Sequence, residues 1–257
     1  MKIHFTKYQG TGNDFVMLDN LDGAYNDLSI ESIQFLCDRK LGVGADGLIK
    51  ISASASHDFE VEYFNADGSQ SFCGNGARCS IAFAKEIGVI EKDTFFTAID
   101  GAHKGSIDQG IVRLEMLPVD KIDTLKEDFF VDTGSPHYVR FKQVTDSDIV
   151  TYGKKVRYSE VFKKEGVNVN YLTENSISNI EVETYERGVE DETLSCGTGV
   201  TGCALVYMRE KGIDEGRIEV KTKGGLLAVE AVSNDQGFDN IWLSGPAKRV
   251  FNGVVNV

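Results

Sequence analysis

Two stretches hold the residues best suited to chemistry. Phe72-Cys73-Gly74-Asn75-Gly76-Ala77-Arg78-Cys79 has a counterpart 123 residues later in Ser195-Cys196-Gly197-Thr198-Gly199-Val200-Thr201-Gly202-Cys203. Each runs into an apolar segment, Ser80-Ile81-Ala82-Phe83-Ala84 or Ala204-Leu205-Val206-Tyr207-Met208. Each therefore reads as a glycine loop entering a helix. The first helical turn has unpaired N–H groups and partial positive charge, and glycine lets an anion come close. A substrate carboxylate could sit on Gly74, Asn75 and Gly76, or on their counterparts, as phosphates do on glycine-rich turns. The same field favours a cysteine thiolate at the helix start. Two matched thiols suit a reaction with two faces, in which one base takes a proton from a carbon and an acid returns one from the other side. That is racemisation or epimerisation, with one thiolate and one thiol at the start of each turnover. By analogy with oxyanion holes each placed donor is worth about 3–4 kcal/mol, so two such loops could activate an α-proton with no pyridoxal phosphate.

The elements that position these loops are also duplicated. Gly12 and Gly134, Gly42 and Gly166, Phe64 and Tyr185, and Gly88 and Gly212 all stand 121 to 124 residues apart. Pro118 and Pro246 close the copies at a slightly larger offset. Alternation or apolar runs predict strands at 15–18, 49–52, 59–64, 94–97 and 111–114. In the second copy they fall at 138–141, 180–185, 217–222, 226–232 and 241–243. A helix is expected over Ser29–Leu41, capped by Ser29, and a charged connection over Val119–Asp128. One nearly all-apolar helix per copy must be buried. The expectation is an α+β protein of two pseudo-symmetric domains, each a curved, mostly antiparallel sheet or barrel around its central helix. The domains are expected at residues 1–118 and 119–257, the last residues packing back on the first half.

Composition narrows the function. The 257 residues are 41% hydrophobic and carry a net charge of −13 with no clustered basic face, which argues against nucleic-acid and anionic-membrane partners but not against an anionic substrate. The amino terminus alternates like a strand and lacks a signal peptide's apolar core, and no apolar run reaches the roughly 18 residues of a membrane span. Five cysteines without an export signal are expected to be thiols in the cytoplasm. Cys37, Cys79 and Cys203 lie in apolar helical runs and are expected in the core. The histidines are scattered and no C-x-x-C occurs, so no zinc site is expected. Gly42–Gly47 fits G-x-G-x-x-G, but a helix precedes it and a strand follows, the reverse of a dinucleotide site. A cysteine/histidine nucleophile using His137 needs one thiol, not two. Asn13, Asn65 and Asn168 suit turns. Glu186-Arg187, just beyond a strand, suits a clamp for an ammonium and a carboxylate.

Across nearly its whole length the chain resembles diaminopimelate epimerase, a pyridoxal-independent family. The marks are Gly10–Phe15, Gly42–Gly47, Phe64–Ser69, Cys73–Cys79, Tyr185–Gly188 and Cys196–Gly199. Proline racemases look similar around both cysteines but typically carry His where this chain has Asn75. The resemblance implies interconversion of LL- and meso-diaminopimelate, no cofactor, a homodimer, and a site between the two domains. It implies Cys73 and Cys196 as the acid/base pair, assisted by His137 and Glu186. Asn13, Asn65, Asn168 and Arg187 would hold the distal end of the substrate, while Gly74, Asn75, Gly197 and Thr198 hold the reacting carboxylate; Gly47 and Glu186 are also expected at the substrate. Ser135 stands where the family often has Asn, so water or backbone is expected to replace a direct contact there. A cysteine/histidine hydrolase would form a covalent acyl intermediate and ignore loss of one cysteine. A non-catalytic binding protein would bind without exchanging solvent hydrogen into its ligand.

Overall fold

Alternating burial sets β1 (Lys2–Gly10), and the apolar run Phe15–Leu18 buries most of β2 (Asn13–Asn20). The chain continues through α1 (Ile30–Cys37), β3 (Gly47–Ser52), β4 (Phe59–Asn65), α2 (Gly74–Glu86), β5 (Asp93–Ala98), β6 (Gly101–Asp108) and β7 (Ile111–Glu115). There follow β8 (Ile122–Leu125), β9 (Asp128–Asp132), β10 (Pro136–Phe141), α3 (Ile149–Arg157), β11 (Asn168–Ser176), β12 (Asn179–Glu186) and β13 (Asp191–Thr193). The last elements are α4 (Gly197–Lys211), β14 (Glu215–Thr222), β15 (Gly225–Ser233), β16 (Phe238–Pro246) and β17 (Lys248–Asn256). The computed structural model describes residues 1–257, which fall into two units, Met1–Leu114 with Gly245–Val257, and Glu115–Ser244.

The duplication seen in the landmarks extends to strand order and direction. In the first unit the order is β17-β1-β2-β3-β4-β5-β6-β7, with β2–β3 and β4–β5 parallel and the other neighbours antiparallel. In the second it is β8-β9-β10-β11-β12-β14-β15-β16, and the parallel pairs are β10–β11 and β12–β14, the matching positions. Helix α1 or α3 makes the first parallel crossover of its unit, and α2 or α4 the second. Helix α2 packs on β1, β2, β3, β4, β6 and β17, and α4 on β9, β10, β11, β12, β14 and β15. A helix touched by most strands of its sheet lies inside it, which is the α+β arrangement expected. Both helices are buried on nearly all sides, although α2 carries Asn75, Arg78 and Ser80 as well as apolar residues. Cys37, Cys79 and Cys203 are core residues.

Three expectations change. Helix α1 begins on its Ser29 cap, where Oγ accepts from the Ser32 N–H, but it ends at Cys37 and not at Leu41. Asp38 takes an extended backbone and its carboxylate accepts the N–H groups of Lys40 and Leu41, a local turn that competes with the helix. The segment expected as a charged connection contains β8, which pairs with β9. Helix α3 and strands β6, β9, β11, β13 and β17 were not among the predicted elements; only Ile149 and Gly153 of α3 are buried, too few for a periodic signal. No helix is long and apolar enough to cross a membrane.

Candidate active site

In the first unit Cys73 is the N-cap of α2, with extended backbone, and its Sγ accepts from the Gly76 N–H at 3.4 Å. Its thiol also points at Asn13 Oδ1 (3.5 Å), which accepts from Asn75 Nδ2 at 3.3 Å. The β1–β2 turn thus meets the first turn of α2 at Cys73, bringing Asn13, Cys73, Gly74 and Asn75 together. Asn13 is aimed from behind, since its Nδ2 donates to Asp46 Oδ2 at 2.7 Å and Asp46 is paired with Arg39. Arg39 also pairs with Asp14, which meets Lys7 Nζ at 2.7 Å. Burial pushes the Asp14 carboxyl up, but hydrogen bonds from Arg39 and Lys7 outweigh it and hold the group at about 2.

Asp14→Asn is expected to destabilise the protein by about 2 kcal/mol, because it leaves buried Lys7 without a counter-charge; the part-exposure of Asp14 keeps the loss below the ~3–5 kcal/mol of a fully buried pair. Urea unfolding at pH 7 checks it. Because the folded carboxyl lies below its unfolded value near 3.9, the wild-type advantage should be complete above about pH 4 and fade as pH falls toward about 2.

Asn65 closes β4, where its Nδ2 donates to Ser69 Oγ (3.0 Å) and Ser71 Oγ (3.3 Å) and its Oδ1 accepts from Tyr63. Gly47 pairs with Asn65 across β3–β4. A methyl group on Gly47 would meet the Tyr63 ring at 2.4 Å, so packing of Tyr63 already requires glycine there.

In the second unit Cys196 is the N-cap of α4 and its Sγ lies 3.4 Å from Thr198 Oγ1. Thr198 Oγ1 is 2.9 Å from His137 Nε2, and the Thr198 carbonyl accepts from Thr133. On its other side His137 Nδ1 meets Asn170 Nδ2 at 3.1 Å. Asn170 is fully buried, and its Oδ1 accepts from Thr184 Oγ1, which fixes the amide so that Nδ2 faces the imidazole. Nδ1 must then accept, so the proton sits on Nε2 and points at Thr198. Burial first, and the Arg187 charge second, push His137 down to about 3, so the ring is neutral at physiological pH. His137 thus reaches Cys196 through Thr198, as a neutral group that orients the threonine. Gly199 makes room for this: a Cβ there would lie 2.6 Å from Asn170 Oδ1 and 3.2 Å from the ring.

A second group forms at the start of β11 and the end of β12. Asn168 Nδ2 donates to Ser135 Oγ (2.9 Å) and Asn168 Oδ1 accepts the Arg187 N–H (2.8 Å). The Arg187 guanidinium reaches the Glu165 carbonyl, while Glu186 accepts from Thr193 Oγ1. Ser135 therefore orients Asn168. If Asn168 holds the distal end of a substrate, as the resemblance implies, Ser135→Asn is expected to keep kcat within about threefold and to change KM more, because the altered contact would be alike in bound and activated substrate. Steady-state kinetics check it; a tenfold fall in kcat at constant KM, about 1.4 kcal/mol, would contradict it.

Sequence reasoning missed Asn170, Thr133, Thr184, Asp46 and Arg39, all polar supports behind the named residues. The period of β11 puts Asn168 and Asn170 on one face, and that was the available signal. No cluster of three or more His, Cys, Asp or Glu side chains is placed to hold a metal ion. What the two loops can do is hold an anion on backbone N–H groups beside a thiol, once in each unit.

Solved structures share this fold. A phenazine biosynthesis protein of the PhzF family from Bacillus anthracis aligns over all of both chains with TM-score 0.76 and 14% identity. A hydroxyproline epimerase from Agrobacterium vitis aligns with TM-score 0.72 and 12% identity over 99% of this chain and 91% of its own. The fold class is therefore that of the PhzF proteins and proline-racemase-like epimerases, here with a cysteine capping the central helix of each unit. Sequence narrows it further. The family model of diaminopimelate epimerase matches residues 5–104 and 129–250. The diaminopimelate epimerase of Flavobacterium psychrophilum is 42% identical over 99% of this chain and 100% of its own, and that of Chlorobaculum tepidum 38% identical over 96% and 99%. The chain belongs to the diaminopimelate epimerase family, a family of isomerases.

Proposed function

We propose that the protein interconverts LL- and meso-2,6-diaminopimelate without a cofactor, using Cys73 and Cys196 as the acid/base pair. The observation that carries this reading is the paired caps: two units of identical strand order each place a cysteine at the N-cap of the buried helix, beside a first turn of glycine and Asn or Thr. In each direction a thiolate takes the α-proton from one face of the carbon while the other thiol delivers a proton to the opposite face. Thiol and thiolate have then exchanged places. N–H groups of Gly74, Asn75, Gly197 and Thr198 receive the reacting carboxylate, where the helix dipoles act on its growing charge. Asn13, Asn65, Asn168 and Arg187 hold the distal amino-acid end, and Glu186 takes an ammonium. Gly47 serves that site by letting Tyr63 pack, and Ser135 by orienting Asn168. His137 keeps Thr198 turned toward Cys196. Placement in lysine and peptidoglycan-precursor synthesis, action in the cytoplasm and a homodimer belong to the same reading.

A cysteine/histidine hydrolase fits less well, because both nitrogens of His137 are engaged, by Asn170 and Thr198, and burial keeps the ring uncharged. The direct test is incubation of the purified protein with LL-diaminopimelate and chiral separation of the products. The meso isomer should accumulate to equilibrium, and hydroxylamine, which traps pyridoxal phosphate, should leave the rate unchanged. Absence of meso product, or loss of activity to hydroxylamine, would sink the proposal.

A further inference from the structure

Arg78 is the bulkiest of the fully buried side chains, and it has no carboxylate partner. Its Nη2 donates to Thr11 Oγ1 and Asn75 Oδ1, each at 3.0 Å, while Nε and Nη1 have no hydrogen-bond partner at all. A buried cation is costly unless an anion lies within reach of its field. The groups whose charge bears on Arg78 are two thiols, Cys79 and Cys73. Cys79 is fully buried inside α2 and its thiol is pushed up by that burial, so it stays neutral. That leaves Cys73, half-buried at the helix cap with the Gly76 N–H already aimed at its sulfur.

We propose that Arg78 is a positioning residue whose buried charge holds Cys73 as the thiolate of the resting enzyme, and whose bond to Asn75 aims that amide at Asn13. The inference rests on the two-thiol reading and assigns the starting protonation pattern within it. The other charged or titratable groups about the Cys73 loop are accounted for. Asp46 stands behind Asn13 and is paired with Arg39. His103 stacks on Phe72 and pairs with Asp100, and Tyr63, beside Cys73 in a small cleft, bonds Asn65.

The second loop lacks the device. At the position equivalent to Arg78 stands Thr201, whose hydroxyl is spent on the Gly197 carbonyl. Thr198, in the place of Asn75, is backed by neutral His137. Arg187 is the cation that bears on His137, but its side chain is on an exposed residue, where solvent and salt screen it, and Glu186 is its chain neighbour. Cys203, below Cys196 in α4, is buried and pushed up like Cys79. Two loops alike in backbone thus differ in charge, which fits a reaction that must begin with unlike partners.

The test is iodoacetamide alkylation of the full-length protein without substrate, followed against pH, with Cys73 and Cys196 resolved by peptide mass spectrometry. In wild type the Cys73 midpoint should lie about one unit or more below the usual thiol value near 8.5, and below that of Cys196. Arg78→Gln should raise the Cys73 midpoint by about a unit, slowing its alkylation at pH 7 roughly tenfold, with Cys196 unmoved. Arg78→Lys should keep the wild-type midpoint. A structural role alone would change melting but not this profile. The proposal is overturned if folded Arg78→Gln leaves Cys73 unchanged, or if wild-type Cys73 titrates with or above Cys196; the wild-type comparison decides it should the variant fail to fold. Alkylation involves no turnover, so its failure is separable from a failure to form meso product.

Discussion

Cys73→Ala and Cys196→Ala are each expected to lower interconversion of LL- and meso-diaminopimelate by roughly 10³-fold or more, toward the upper range for loss of a general acid or base. On the two-thiol proposal every turnover needs a base on one face of the carbon and an acid on the other, so the surviving thiol cannot rescue the reaction. It can still remove and return the proton of the isomer whose hydrogen points at it. Each variant in D₂O should therefore label one stereoisomer with retention, and the two variants should differ in which. Circular dichroism should be unchanged, since Cys196 makes no side-chain cap hydrogen bond and the Cys73 cap is a single weak contact to Gly76. Chiral chromatography with mass spectrometry reads both quantities. Near-wild-type interconversion by either variant would remove the two-thiol assignment.

Asn170→Leu is expected to cost both stability and rate. Asn170 is fully buried and joins the His137 ring, the Tyr138 carbonyl and Thr184. Leucine leaves these groups unpaired in the interior, at about 1–3 kcal/mol for each that finds no new partner, so about 3 kcal/mol in total is expected. It also frees the imidazole to change tautomer or turn, which releases Thr198 from its place beside Cys196, and kcat should fall by about 10²-fold with a smaller change in KM. Asn170→Asp separates the two effects, because a carboxylate beside Nδ1 favours the charged ring. In wild type the His137 value is held below its unfolded one, so neutral His137 contributes stability above about pH 6.5 that is lost as pH falls from there toward 3. In the Asn170→Asp variant the folded value rises toward or above the unfolded one, so that acid-side loss should shrink. Urea unfolding at pH 7.5 and 5 would show it, and an unchanged pH slope in this variant would contradict the geometry around His137.

The cysteine loops were legible because identity and spacing recur together, and the strand order is duplicated along with them. Long alternating strands such as β4 and β14 were likewise readable. Helix α1 was overextended because Asp38 suits a helix by pattern but bonds its own following N–H groups. Strand β8 was hidden in a charged segment, and none of the strand's own residues is fully buried. Within the site, the residues expected at the substrate were visible as motif members, whereas the supports were not. Asn170 reads as one more strand polar residue until Thr184 and His137 are found on either side of it. Arg78 sits in a motif that explains its neighbours; that it is buried with no carboxylate partner and with Nε and Nη1 unbonded is a property of the packed interior and leaves no trace in spacing.

The two-base account is tested most directly by a single turnover of wild-type protein with LL-diaminopimelate in D₂O, quenched before equilibrium. The proton delivered comes from a thiol equilibrated with solvent, not from the proton just removed. Newly formed meso product should therefore carry one deuterium at the inverted carbon while the remaining LL substrate stays unlabelled. Meso product formed with its original hydrogen retained, or label entering both isomers at equal rates from the start, would point to a single base and contradict the account.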